Sequence, residues 1–264
     1  MEVFDKHTFA ICAYKESSYL EECIKSVIEQ EIKSKVIICT ATPNEYIENM
    51  AKKYNLDLFV RDGKPDIQDD WNFAYENADT KYVTIAHQDD IYISEYSKNI
   101  KKYSDENKKQ VLFFSDYREL KNGEVIPLTV NLKIKKLMLF PLRFKTLRGI
   151  KFVRKFMLSL GSPICCPAVT YNKEYIKEKP FTSTMKCSLD WDTWYKFSKK
   201  DGQFVYMNKD LVYHRIHEES ETTNSIENNV RQTEDYEMFR KFWPKPIANL
   251  LAKAYSKSLD TNNV

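Results

Sequence analysis

Two pairs of aspartates stand where their type and spacing could do chemistry. Asp89 and Asp90 follow, after His87 and Gln88, the apolar run at residues 82–86, which reads as a strand, so one of them can face a crevice beyond the strand's end. A carboxylate there offers hard oxygen ligands to Mg²⁺ or Mn²⁺, and such an ion neutralises a departing diphosphate. The plain alternative is that the pair caps a helix beginning near Ser94. Asp190 and Asp192 open the aromatic-rich run at residues 189–195. A carboxylate here can take the proton from an attacking hydroxyl, or it can merely compensate the positive end of a helix dipole. Neither pair decides between its two readings alone.

The elements that must position these residues alternate in type. Residues 8–13 read as a strand, and Ser18-x-x-Glu21 as a capping box before Leu20, Cys23, Ile24, Val27 and Ile28, which share one helical face. A strand at 36–39 follows, and then a helix opened by Thr42-Pro43-x-Glu45. A strand at 56–60, a helix at 69–77 and a strand at 82–86 repeat the unit. Alternation of this kind predicts a parallel sheet with helices on its faces, and ligands beyond the carboxyl ends of the strands. Further on, the spacing predicts strands at 111–115, 164–171, 204–206 and 211–216, a hairpin turn at Asn122-Gly123, a helix at 189–199 and a helical tail from Ile226.

Composition narrows the function classes. No G-x-G-x-x-G and no G-x-x-x-x-G-K-[ST] occurs, and five glycines leave little material for a phosphate-cradling loop, which argues against dinucleotide, P-loop and nucleotidyltransferase chemistry. A net charge of +3 does not imply nucleic-acid binding. The six cysteines lack C-x-x-C spacing, and several sit in apolar runs, so they read as reduced core residues. The start of the chain carries no secretory pattern, and the longest uncharged stretch, residues 156–172, is interrupted by Gly161, Pro163 and Pro167. A cytoplasmic protein with at most peripheral membrane contact is expected. That contact falls to residues 132–156, where nine Lys and Arg interleave with apolar residues and no acid occurs.

The motifs taken together resemble family 2 glycosyltransferases over nearly all of residues 7–220. The run from Phe9 to Glu16 and the helix from Tyr19 to Gln30 are similar to the family's opening strand and helix. Trp71-Asn72-Phe73-Ala74 resembles its arginine-asparagine helix, residues 82–90 its strand ending in the D-x-D site, Asp190-Trp-Asp-Thr-Trp194 its acidic catalytic motif, and Tyr213-His-Arg-Ile-His217 its closing strand. The resemblance implies a GT-A α/β fold: a Rossmann-like, mostly parallel sheet with helices on both faces. One domain would span 1–225, with a nucleotide-sugar-binding half at 1–117, an acceptor-side half at 118–225 and a C-terminal helical tail at 226–264.

The same resemblance implies inverting transfer from a nucleoside-diphosphate sugar to a hydroxyl of a cell-surface polysaccharide or lipid-linked glycan. Ala13, Tyr14, Glu16, Thr40, Asn72, His87 and Gln88 would line the donor site, Asp89 and His217 would hold a divalent metal, Asp190 would be the base, and Trp191 and Asp192 would face the acceptor. The chain departs from the family pattern in three places, one of them Trp71, which stands where the family commonly has arginine. Cys39-Thr40-Ala41-Thr42 lacks the acids usual after the second strand, and His87 stands at the first aspartate of D-x-D. These last two departures motivate the rival reading, a nucleotide-sugar-binding or scaffolding protein that has lost activity.

Overall fold

The computed structural model describes residues 2–106, 108–217 and 230–260. Its strands are β1 (Val3–Ala13), β2 (Lys33–Thr40), β3 (Asp57–Val60), β4 (Tyr82–His87), β5 (Ile91–Tyr92), β6 (Gln110–Lys121), β7 (Glu124–Val125), β8 (Val169–Asn172) and β9 (Gln203–Ile216). They form one sheet in the order β3-β2-β1-β4-β8-β6-β9-β5, with β7 paired to β6. The ladders β3·β2, β2·β1, β1·β4 and β6·β9 are parallel, whereas β8 and β5 enter antiparallel. The expected α/β architecture is present, parallel throughout its N-terminal half and along the long β6·β9 ladder.

Period-two burial puts helices on both faces. Phe9, Ile11, Ile38, Phe113 and Val205 point to one side, against α1 (Leu20–Ile28), α2 (Glu45–Tyr54) and α4 (Tyr96–Glu106). Ala10, Ile37, Ile85, Leu112 and Phe204 point to the other, against α3 (Ile67–Asn77), α6 (Lys151–Leu158) and α7 (Leu189–Ser198). The C-terminal helices α8 (Val230–Arg240) and α9 (Lys245–Asp260) join this second core: Phe239 and Tyr255 pack on Trp191, and Met238 and Ala248 are fully buried. Polar composition had marked this stretch only as a tail.

Several local expectations change. The capping box at Ser18 does not form; α1 starts after Tyr19 without a side-chain cap, and Glu21 turns instead to Lys53 and Tyr54. Asn44, not Thr42, caps α2 by accepting from Ile47 N–H. The strand expected at 164–171 shrinks to Val169–Asn172 because Pro167, which has no N–H to give a ladder, begins a 3₁₀ turn over Cys166–Ala168. The two short strands at 204–206 and 211–216 are one strand, β9, whose register against β6 shifts around Asn208, held at φ 49°. The Asn122-Gly123 hairpin is present, both residues at positive φ.

The basic segment folds as α5 (Val130–Leu139), a 3₁₀ turn (Phe140–Arg143) and α6. Its cations divide. Arg148 and Arg154 are buried, donating to the carbonyls of Leu142 and Lys200 respectively. Lys135 and Lys136 reach inward to Tyr117 and Asp210, while Lys133, Arg143, Lys145, Lys151 and Lys155 stay exposed.

Candidate functional site

β1 and β4 are parallel neighbours, with Cys12 opposite His87, so the loops after Ala13 and His87 leave the sheet side by side. α1 and α2 lie on one face and α3 on the other, which makes this the point where the strand order reverses and a crevice opens. The loops are tied together by backbone contacts. Gln88 accepts from Tyr14 N–H at 2.9 Å and donates to Tyr14 O at 3.0 Å. Lys15, held at φ 52°, donates its N–H to Thr42 Oγ1, and Thr42 N–H donates to Thr40 Oγ1. Thr40 and Gln88 therefore shape the rim, whereas the Tyr14 and Glu16 side chains are exposed beside it. Ala13 is buried at the strand's end, where its small side chain leaves room.

On the opposite face, Trp71 lies flat on His87, their ring centroids 4.9 Å apart. Asn72 does not face the crevice. Its amide donates to Phe181 O and accepts from Phe181 N–H, and it is buried, so it clamps the loop before α7.

His87, Asp89 and Asp90 converge so closely that one potential ligand atom from each lies within 4.8 Å of the others. Burial pushes the His87 ring below its ordinary pKa, and its Nε2 has no hydrogen-bond partner. Asp90 is fully buried: Oδ1 accepts from His214 Nδ1 and from Arg215 N–H, both at 2.9 Å, while Oδ2 has no partner. Burial opposes the charge of His214, but Asp90 outweighs it and raises that ring to about 9. Burial likewise opposes the charge of Asp89, yet the His217 hydrogen bond and the nearby His87 and His214 rings hold its carboxyl below the ordinary range. His217 Nε2 meets Asp89 Oδ2 at 2.9 Å. Arg215 donates to Asp89 O, pairs with Glu22 and lies over the Tyr19 ring.

His214 and Arg215 join the site although sequence reasoning gave them no role, and Asp90, named with Asp89 as a strand-end pair but not assigned a ligand role, belongs to it as well. The clustering of His214, Arg215 and His217 at the end of β9 was the available signal.

Asp190 sits in the first turn of α7, Oδ1 accepting from Trp191 N–H at 2.6 Å. Burial raises its carboxyl above the ordinary value, against the pull of that N–H, Arg231 and Lys135. It shares a region with the aspartate cluster: the Cys165 thiol, pushed up by burial, feels the charges of both Asp90 and Asp190.

The two residues after Asp190 correct the sequence reading. Trp191 is 1% exposed, donates its indole N–H to Leu158 O and packs on Phe239, so it belongs to the core and not to an acceptor surface. Asp192 is buried and spent on Ser183, Lys196 and Lys241. Burial opposes its charge, but these partners outweigh burial and hold it below the ordinary range. A helix turns adjacent residues in different directions, so Asp190 stays partly exposed while Trp191 and Asp192 are buried.

Residues 8–178, well over half of the chain, match the family model "Glycosyl transferase family 2". The chain belongs to glycosyl transferase family 2. Solved structures of the same fold include TarS from S. aureus in complex with UDP-GlcNAc, with 17% identity, 94% of this chain and 70% of that chain covered, and a TM-score of 0.61. The mannosyltransferase PcManGT from Pyrobaculum calidifontis, in complex with GDP-Man and Mn²⁺, has 14% identity, 95% and 69% coverage and a TM-score of 0.61. Glucosyl-3-phosphoglycerate synthase from Mycobacterium tuberculosis, with Mn²⁺ and UDP-Glc, has 12% identity, 91% and 80% coverage and a TM-score of 0.55. Comparison with curated protein sequences gives no match. As a family 2 member the protein is a glycosyltransferase with a GT-A fold. Among its described residues no helix is long and apolar enough to cross a membrane.

Proposed function

We propose that this transferase moves a sugar from a nucleoside-diphosphate donor to a hydroxyl of a polysaccharide or lipid-linked glycan, inverting the anomeric centre. The observation that carries the reading is the strand-end cluster of His87, Asp89 and Asp90, with the partly buried carboxylate of Asp190 in reach of the same Cys165 thiol as Asp90. The donors bound by TarS, PcManGT and the mycobacterial synthase support a nucleotide-sugar substrate.

The cluster also suits a divalent metal. Two of its buried polar atoms, His87 Nε2 and Asp90 Oδ2, lack partners; the two carboxylates suit Mg²⁺ or Mn²⁺, and the added imidazole favours Mn²⁺ over Mg²⁺. Asp89, Asp90 and His87 would hold the ion, with His217 and His214 orienting the carboxylates from behind. When bound, the metal supplies charge to neutralise the departing diphosphate.

Asp190 does the remaining work. Its free oxygen accepts the proton of the acceptor hydroxyl while the hydroxyl oxygen forms a bond to the anomeric carbon. The bond from that carbon to the diphosphate oxygen breaks on the opposite side, and the electron pair leaves with the nucleoside diphosphate. Attack from one face and departure from the other invert the configuration. Partial burial of Asp190 raises its carboxyl and makes the carboxylate a better base than an exposed one.

The test separates Asp190 from Asp192. Asp190→Asn keeps the oxygen that accepts from Trp191 N–H but loses basicity, so turnover should drop by roughly two to four orders of magnitude with donor affinity and melting temperature near wild type. Asp192→Asn weakens two ion pairs and should lower the melting temperature while sparing the chemistry. An active Asp190→Asn protein refutes the assignment. A thermal-shift screen of nucleotide sugars with and without Mn²⁺ identifies the donor class, since a ligand that binds the native state raises apparent stability.

A further inference from the structure

Sixteen large apolar side chains are exposed among the described residues, and nine of them fall between Val130 and Leu160. That concentration needs a cause, because scattered exposed apolar residues are ordinary but a contiguous segment of them marks an interaction surface. Leu137 is 72% exposed and Phe152 75%, with Phe140, Phe144 and Phe156 about half exposed. The rings pair along the surface, Phe140 with Phe144 at 5.6 Å and Phe152 with Phe156 at 6.1 Å.

Charge selects the partner. No Asp or Glu occurs between Glu124 and Glu174. Of the exposed cations on this segment, Lys145 and Lys151 pair with Glu106 and Asp201, while Lys133 and Lys155 make no ion pair among the described residues. A protein partner is not required to explain exposed phenylalanines alternating with lysines. An anionic bilayer interface supplies both an apolar layer for the rings and phosphate for the cations.

We propose that the outer surface of the α5–α6 segment docks on an anionic lipid bilayer, with Phe140, Phe144, Phe152 and Phe156 entering the interface and Lys133, Arg143 and Lys155 meeting lipid phosphate. α5 then links membrane and site. Its outer side carries Ile134 and Leu137, and its inner side carries Lys135, which is desolvated, donates to Tyr117 and lies within electrostatic reach of Asp190. An acceptor anchored in that bilayer would be presented beside the crevice. This last orientation rests on Asp190 as the base; the lipid contact does not. Arg154, buried under Phe204, is part of the core and takes no part.

The full chain is mixed with phosphatidylcholine vesicles with and without phosphatidylglycerol, and binding is followed by co-sedimentation. Binding is expected with phosphatidylglycerol, weakening with added salt, and falling about tenfold or more in Phe152→Ser/Phe156→Ser, given the apolar area those rings withdraw from water. Lys133→Glu/Lys155→Glu should weaken it as well. Phe152→Trp reports insertion directly, by a blue shift in emission on adding anionic vesicles. Melting temperature and nucleotide-sugar binding of these variants should match wild type, so a failure here is distinct from a failure of the transferase reading. The proposal is overturned by an absence of binding, by binding indifferent to charge and to both phenylalanines, or by unshifted Trp emission. It is equally overturned if the same substitutions instead abolish self-association of the chain without any vesicle binding, which assigns the surface to a second copy.

Discussion

Glu234 carries the most exposing prediction about how this site is built. It lies on α8, yet its carboxylate sits at the start of α7: Oε1 accepts from Lys186 N–H at 2.8 Å, and Oε2 from the N–H groups of Cys187 and Ser188 at 2.8 and 2.9 Å. Ser188 offers α7 no side-chain cap of its own, so this distant carboxylate does the capping. In Glu234→Gln, the amide oxygen can keep two of the three donors, now as neutral hydrogen bonds each weaker by about 1 kcal/mol, and the third donor faces an NH₂ group at a further cost of about 1 kcal/mol. The sum is about 2–4 kcal/mol, which corresponds to a fall in melting temperature of roughly 5–15 °C. Thermal and urea unfolding of Glu234→Gln should show it, with Glu237→Gln, exposed on the same helix, as a control within about 0.5 kcal/mol of wild type. Turnover below the transition should fall too, because Asp190 sits two residues past the capped turn. A Glu234→Gln protein as stable as its control shows that α8 does not hold the loop before α7.

Asp89→Ala should abolish Mn²⁺-dependent donor binding in calorimetry, and unchanged affinity and metal dependence would place the metal elsewhere. Because burial raises the Asp190 carboxyl and a base works only when ionised, kcat/KM should fall as pH drops through that raised pKa. The residual activity of Asp190→Asn should lack that acid limb; if the limb persists, it belongs to another group. Burial also lifts Asp235 to about 6, despite the favourable pull of Arg231 and Ser188. A raised folded-state pKa means its contribution to stability is present below about 4 and lost as pH rises through about 6. Asp235→Asn, which can still accept from Ser188 Oγ, should therefore be about 1–3 kcal/mol more stable than wild type at pH 8 and lose that advantage at pH 4. Equal unfolding curves at both pH values would contradict it.

The sequence by itself determined the alternation of strands and helices, the sheet half that carries β1 and β4, the strand-end position of Asp89 and the helix-start position of Asp190. Those features follow from local rules: apolar periodicity names the buried face, and a parallel sheet opens its crevice at its strand ends. What each polar residue does there was decided only in three dimensions. Asn72 and Asp192 carry the right chemistry for a site, but Phe181 and the pair Lys196 and Lys241 consume them. Asp90, by contrast, looked like the lesser half of a pair and proves to be the fully buried member that binds β9 through His214 and Arg215. The C-terminal helices were legible as helices but not as part of the domain core, since Glu234 and Phe239 find their partners more than forty residues upstream. Periodicity along a chain reports which side of an element is buried; it carries no information about which distant element will cover it, and a hydrogen bond or an ion pair depends on that distant partner to within a fraction of an ångström.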